Sequence, residues 1–100
     1  MYGLIGKMTA QPGQRDDLID VLVEGVAGMP GCLSYIVAKD TVDPDALWIT
    51  EVWDDRDSHA ASLDLPAVRE AIARGRPMIA EFGPERFETV PVGGHGLANA

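Results

Sequence analysis

A chain of 100 residues is one domain's worth, and a domain of that length buries roughly 60–70% of its unfolded surface. With 46% hydrophobic residues and a mean hydropathy near zero it carries more apolar surface than a small monomer hides, which points to a homo-oligomer, a homodimer being the simplest. Sixteen acidic against eight basic residues (net charge −8) speak against nucleic acid or an anionic membrane as partner; the single cysteine makes no internal disulfide; and with no long apolar run the chain is expected to be soluble and cytoplasmic.

Tyr2 to Thr9 is short, apolar and interrupted by glycine, as suits a first strand, and Gln11-Pro12-Gly13 ends it. From Gln14 to about Ala27, Leu18, Leu22 and Val26 recur every fourth residue while Arg15, Asp16, Asp20 and Glu24 take the other side. That spacing predicts an amphipathic helix, stopped by Gly28 and Pro30. Cys32 to Lys39 and Ala46 to Trp53 read as strands joined through Asp43-Pro44-Asp45. Their apolar residues do not alternate cleanly with polar ones, so both strands are expected to be covered on both faces. Asp54 or Asp55 can cap a short helix from about Arg56 to Leu63, and Pro66 opens another to about Arg74. Arg76-Pro77 bends or breaks that helix, and Glu85 to Val90 reads as a last strand anchored by Phe87. Residues 1–92 form the domain, and Gly93-Gly94-His95-Gly96 opens a tail over 93–100. The order β-α-β-β-α(α)-β is the split βαβ arrangement of an α+β, ferredoxin-like fold with an antiparallel sheet.

Chemistry concentrates after the third strand. Glu51 and Trp53 are two residues apart on one strand, so their side chains share a face. A carboxylate in an apolar strand is either half of an ion pair, with Arg69, Arg74, Arg76 or Arg86 as partner, or a proton acceptor with a raised pKa. His59 falls one turn into the following helix, and an imidazole can take and return a phenol's proton near neutral pH. Trp53 suits a ligand-lining aromatic as well as a core anchor. Tyr35 and Trp48 are further aromatic candidates, and Ser34, Thr50 and Ser62 can donate hydrogen bonds to a substrate oxygen. Cys32 has no metal-ligand or nucleophile partner at the right spacing and reads as structural. No glycine-rich nucleotide loop, paired-cysteine motif or nucleophile elbow occurs.

Pro30-Gly31-Cys32-Leu33-Ser34-Tyr35, Glu51-Val52-Trp53 and His59 carry a pattern, joined by Gln11-Pro12-Gly13, the run Asp40 to Asp45 and the run Ser62 to Pro66. Over roughly residues 2 to 90 that pattern resembles the antibiotic biosynthesis monooxygenase family. The resemblance implies a dimeric α+β barrel, two subunits packing sheet against sheet with a pocket in each. It also implies a small oxygenase using dioxygen without flavin, haem or metal on a phenol, quinol or anthrone. In that family the Trp of Glu-x-Trp lines the pocket, here Trp53, and many members carry a His nine residues later, where this chain has Ser62. The substrate anion passes an electron to oxygen; the protein's tasks are a base (His59 or Glu51), hydrogen bonds to the oxyanion (Ser62 or Thr50) and an aromatic slot (Trp53). Haem-degrading relatives use an axial His on the later helix and an Asn in the first strand. This chain offers Val68-Arg69-Glu70-Ala71-Ile72 and Gly6-Lys7 instead. A non-catalytic binder of small aromatics and an isomerase of small oxo-compounds remain the alternatives.

Overall fold

In the computed structural model, residues 1–97 are described. Four strands, β1 (Tyr2–Ala10), β2 (Cys32–Lys39), β3 (Ala46–Trp53) and β4 (Ile79–Thr89), form one antiparallel sheet in the order β2-β3-β1-β4. Helices α1 (Arg15–Gly25), α2 (Arg56–Ser62) and α3 (Pro66–Gly75) pack on one side, and a 3-10 turn at Arg76–Met78 leads into β4. This is the ferredoxin-like α+β fold expected from the element order. No helix among the described residues is long and apolar enough to cross a membrane. Residues 93–97 lie in no helix or strand, and 98–100, the rest of the expected tail, lie outside the described residues.

Strand alternation sorts the core. Tyr2, Leu4, Met8 and Ala10 of β1 face the helices beside Leu47, Ile49, Glu51 and Trp53 of β3 and Tyr35 and Val37 of β2. Leu18 of α1 is buried against them, Val21 is buried beside Gly75 of α3, and Gly25 lets α1 approach α3, since a Cβ there would collide with Ala71. The buried side chains form two clusters, one around Trp53 and Met29 and one around Leu18 and Leu47, bridged by Tyr35. Arg15 fastens the β2–β3 connection to α1: its Nη1 donates to the carbonyls of Asp40, Asp43 and Ala46 at 3.0–3.3 Å.

Two expectations are corrected. The last strand begins at Ile79 rather than Glu85. The register jumps from Gly6↔Arg86 to Met8↔Phe82, so residues 83–85 bulge out opposite Lys7, and the Gly-Pro that seemed to precede a strand sits in the bulge. Phe87 is no core anchor, because it pairs with Ile5 on the face away from the helices and is 54% exposed. The helices of the chain cover one face of its strands only, and Ile36 on the outer face is 57% exposed.

α2 is too short to stand by itself. Asp55 caps it, accepting from the Ser58 amide at 2.7 Å, and Arg56 clasps β4 through Glu88 at 2.7 Å while lying over the Tyr2 ring, whose hydroxyl donates to the same carboxylate. Gly31 takes φ +79° where β2 begins, and a Cβ there would strike Ser58 and Asp54, so the turn into β2 and the start of α2 are pressed together.

Candidate active site

A cleft of about 270 Å³ opens between the two core clusters, with sheet on one side and helices on the other. Its polar end is built by β3 and α2. Trp53, at 1% exposure, is wedged in the core, and its indole Nε1 donates to Oε1 of Glu51 at 3.1 Å. His59 Nε2 lies 3.8 Å from the same oxygen, and the imidazole packs edge-on against the Trp53 ring with centroids 5.5 Å apart. Tyr2 lies beside it at 5.6 Å. Oε2 of Glu51 has no hydrogen-bond partner among the described residues.

Burial raises the pKa of Glu51; the Trp53 hydrogen bond, His59 and Arg86 oppose the rise without cancelling it. Burial likewise pushes the Tyr35 hydroxyl far above the usual phenol range, helped by the Glu51 charge, so Tyr35 is a neutral wall of the cleft. Chemically the end of the cleft is one carboxylate, held by an indole and reluctant to ionise, with an imidazole nitrogen 3.8 Å away.

The structure brings Glu51, Trp53, His59, Ser62 and Tyr35 together around this cleft. It does not bring Thr50 and Trp48 there. They alternate with Glu51 on β3 and point to the outer face, where Thr50 pairs with Ile5 and Ile36, and Trp48 donates to Asp40 at 2.8 Å. Ser34 lies on that face too, opposite Val52. The Ser62 hydroxyl is buried and donates to the His59 carbonyl at 2.6 Å, which fixes the end of α2 and leaves only its lone pairs for a ligand. Glu51 takes none of the four arginines as a close ion-pair partner; Arg86 influences it from across Gly6. Cys32 is half-buried with its thiol pKa raised by burial, in keeping with a structural role.

Tyr2 and the apolar lining from Met8, Ile49 and Phe82 were missed from the sequence. Their place follows from the pairings Tyr2↔Trp53 and Met8↔Phe82, which no local pattern announces. Among the described residues no group of three or more His, Cys, Asp or Glu is placed to hold a metal ion.

A ferredoxin-like α+β domain with an apolar cleft between sheet and helices, ending in a carboxylate against an imidazole, defines a class of small proteins built around small-molecule pockets. Within it the chain belongs to the antibiotic biosynthesis monooxygenase family, whose family model matches residues 1–74. It is 68% identical to a candidate antibiotic biosynthesis monooxygenase from Chloroflexus aurantiacus J-10-fl, whose crystal structure superposes with a TM-score of 0.93 over 97% of this chain and 98% of that one. A Deinococcus radiodurans structure described in the same terms shares the fold at 24% identity (TM-score 0.75, 94% and 95% covered). So does one from Caulobacter crescentus CB15 at 19% (TM-score 0.80, 92% and 90% covered). No curated protein matches the chain. Family membership supports a monooxygenase-like function in general terms.

Proposed function

We propose that the chain is a cofactor-independent monooxygenase that oxidises a phenolic, quinol or anthrone-like aromatic with dioxygen. The observation that carries this reading is Glu51: a buried carboxylate with a raised pKa, anchored by Trp53 and 3.8 Å from His59, at the end of an apolar cleft. For an anthrone, the pair takes a proton from the ring methylene and leaves a delocalised anion. That anion passes one electron to dioxygen, the two radicals join in a carbon–oxygen bond, and the protonated peroxide loses water. The methylene has then given up two hydrogens for one oxygen atom, and the second oxygen leaves as water. The chain's contributions are the base, the exclusion of water and the positive charge of Arg86, which favours the anion.

The reading extends to a homodimer. Ile36 and Phe87 stand exposed on the sheet face opposite the cleft, and a second copy laid sheet against sheet would cover both. The commitment of the Ser62 proton to a backbone carbonyl favours one other reading, a binding protein that holds the aromatic without turning it over.

Oxygen-electrode traces with a panel of anthrones, naphthoquinols and catechols test the proposal. Uptake stoichiometric with quinone formation is expected for at least one class. Traces equal to enzyme-free controls, from protein that binds the same compounds, leave the binding protein standing.

A further inference from the structure

The cleft beside Glu51 does not end at Phe82. Met8, Leu22, Ala71, Ile72 and Phe82 also wall a second chamber of about 440 Å³ that runs between α1, α3 and the start of β4, with Ile79 and Ala80 at its far side. Its charged residues, Arg76 and Glu81, are exposed. The ionisable pair stands in one chamber alone, and Phe82, 73% exposed, borders both.

We propose that the second chamber is a subsite for an apolar tail, and that the substrate is an ionisable aromatic ring carrying a hydrocarbon chain. This rests on the reading above for the ring, and adds the tail. A polar substituent entering the second chamber would exchange water for aliphatic walls and lose hydrogen bonds, whereas a chain gains with every methylene it buries. The five shared wall residues make ring and tail sites one continuous space, so a single flexible molecule can fill both by turning at Phe82. A second copy covering Ile36 and Phe87 would lie on the other side of the sheet and leave this chamber free.

The test is binding of 4-alkylphenols from methyl to octyl, read by Trp53 fluorescence in a Trp48→Phe background so that only the cleft reports. Kd is expected to fall about two- to fourfold per added methylene and to level off once the chamber is full. Ala80→Phe, a change at an exposed position that touches the second chamber only, is expected to abolish the long-chain advantage and leave methylphenol binding unchanged. A Kd independent of chain length in the unmodified cleft overturns the proposal, as would a rigid polycyclic phenol outbinding every alkylphenol. Oxygen uptake with 2-alkylnaphthoquinols of the same chain lengths separates the two readings. Chain-length-dependent binding without uptake sinks the oxygenase and keeps the tail subsite; uptake indifferent to chain length does the reverse.

Discussion

Two carboxylates in this fold each accept an indole N–H, and the two have been driven in opposite directions. Glu51 takes the Trp53 donor at 3.1 Å under the helices, and burial raises its pKa. Asp40 takes the Trp48 donor at 2.8 Å at the exposed end of β2, adds the amides of Asp43 and Val42 at 2.8 and 3.0 Å, and is lowered to about 2. An indole hydrogen bond therefore does not decide whether a carboxylate is a candidate base. What decides is whether water and backbone amides, or aliphatic walls, supply the rest of the surroundings. The same division separates the two faces of β3, where one step along the strand exchanges a cleft for an outer surface.

The largest expected effect breaks that step directly. Glu51→Gln should lower turnover by roughly 10²–10⁴, while Thr50→Val, its neighbour on the outer face, should stay within about twofold. Equal losses in steady-state oxygen uptake would mean that the cleft is not the site of chemistry. In stability, Leu47→Ala on the helix side should cost about 2–5 kcal/mol in urea unfolding, because its side chain is fully enclosed. Ile36→Lys on the outer face should act on assembly instead, shifting the light-scattering mass from twice 10.7 kDa to 10.7 kDa while leaving alkylphenol binding intact. An unmodified protein that already runs as a monomer would remove the sheet-to-sheet dimer.

Smaller differences sharpen the contrast between the indoles. Trp53→Phe leaves a half-buried carboxylate oxygen without its donor and is expected to cost about 1–3 kcal/mol in urea unfolding, whereas Trp48→Phe, with water and two amides left to Asp40, should cost clearly less. The smallest effects lie in pH dependence, and their signs are opposite. Glu51 has a raised folded-state pKa, so its contribution to stability is full at low pH and is lost as pH rises through that pKa. Glu51→Gln should thus match the parent's Tm near pH 4 and exceed it near pH 8. Asp40 has a lowered one, so its contribution is present above the unfolded carboxylate value of about 3.9 and lost as pH falls through about 2. Asp40→Asn should melt lower than the parent at pH 6, with the gap closing toward pH 2.

The sequence displayed most of the fold because its signals are local. Leu18 and Leu22 mark a helix face, Pro66 opens α3, Asp55 caps α2, and β2 and β3 begin and end where their apolar runs do. Glu51, Trp53 and His59 were legible as a group because a strand end and the next helical turn are neighbours in sequence. That Thr50 and Trp48 turn away from the cleft was not legible because β3 is apolar on both sides, so pattern alone gives no inward direction. β4 was cut short because a bulge over residues 83–85 looks, in one dimension, like a loop. The second chamber was invisible, since it arises where Met8, Ile72 and Phe82 from three elements meet.

The clasp of Arg56 on Glu88 and Tyr2 makes ionic strength a control on the site. Both charged partners are exposed, and such a pair contributes little to stability, yet it seats the seven-residue helix that carries His59. The screening length shrinks from about 10 Å at 0.1 M salt to about 3 Å at 1 M. Concentrated salt should therefore loosen α2 and carry the imidazole away from Glu51 even when the substrate is uncharged, so that a salt-dependent turnover would report the tether of a helix rather than the attraction of a ligand.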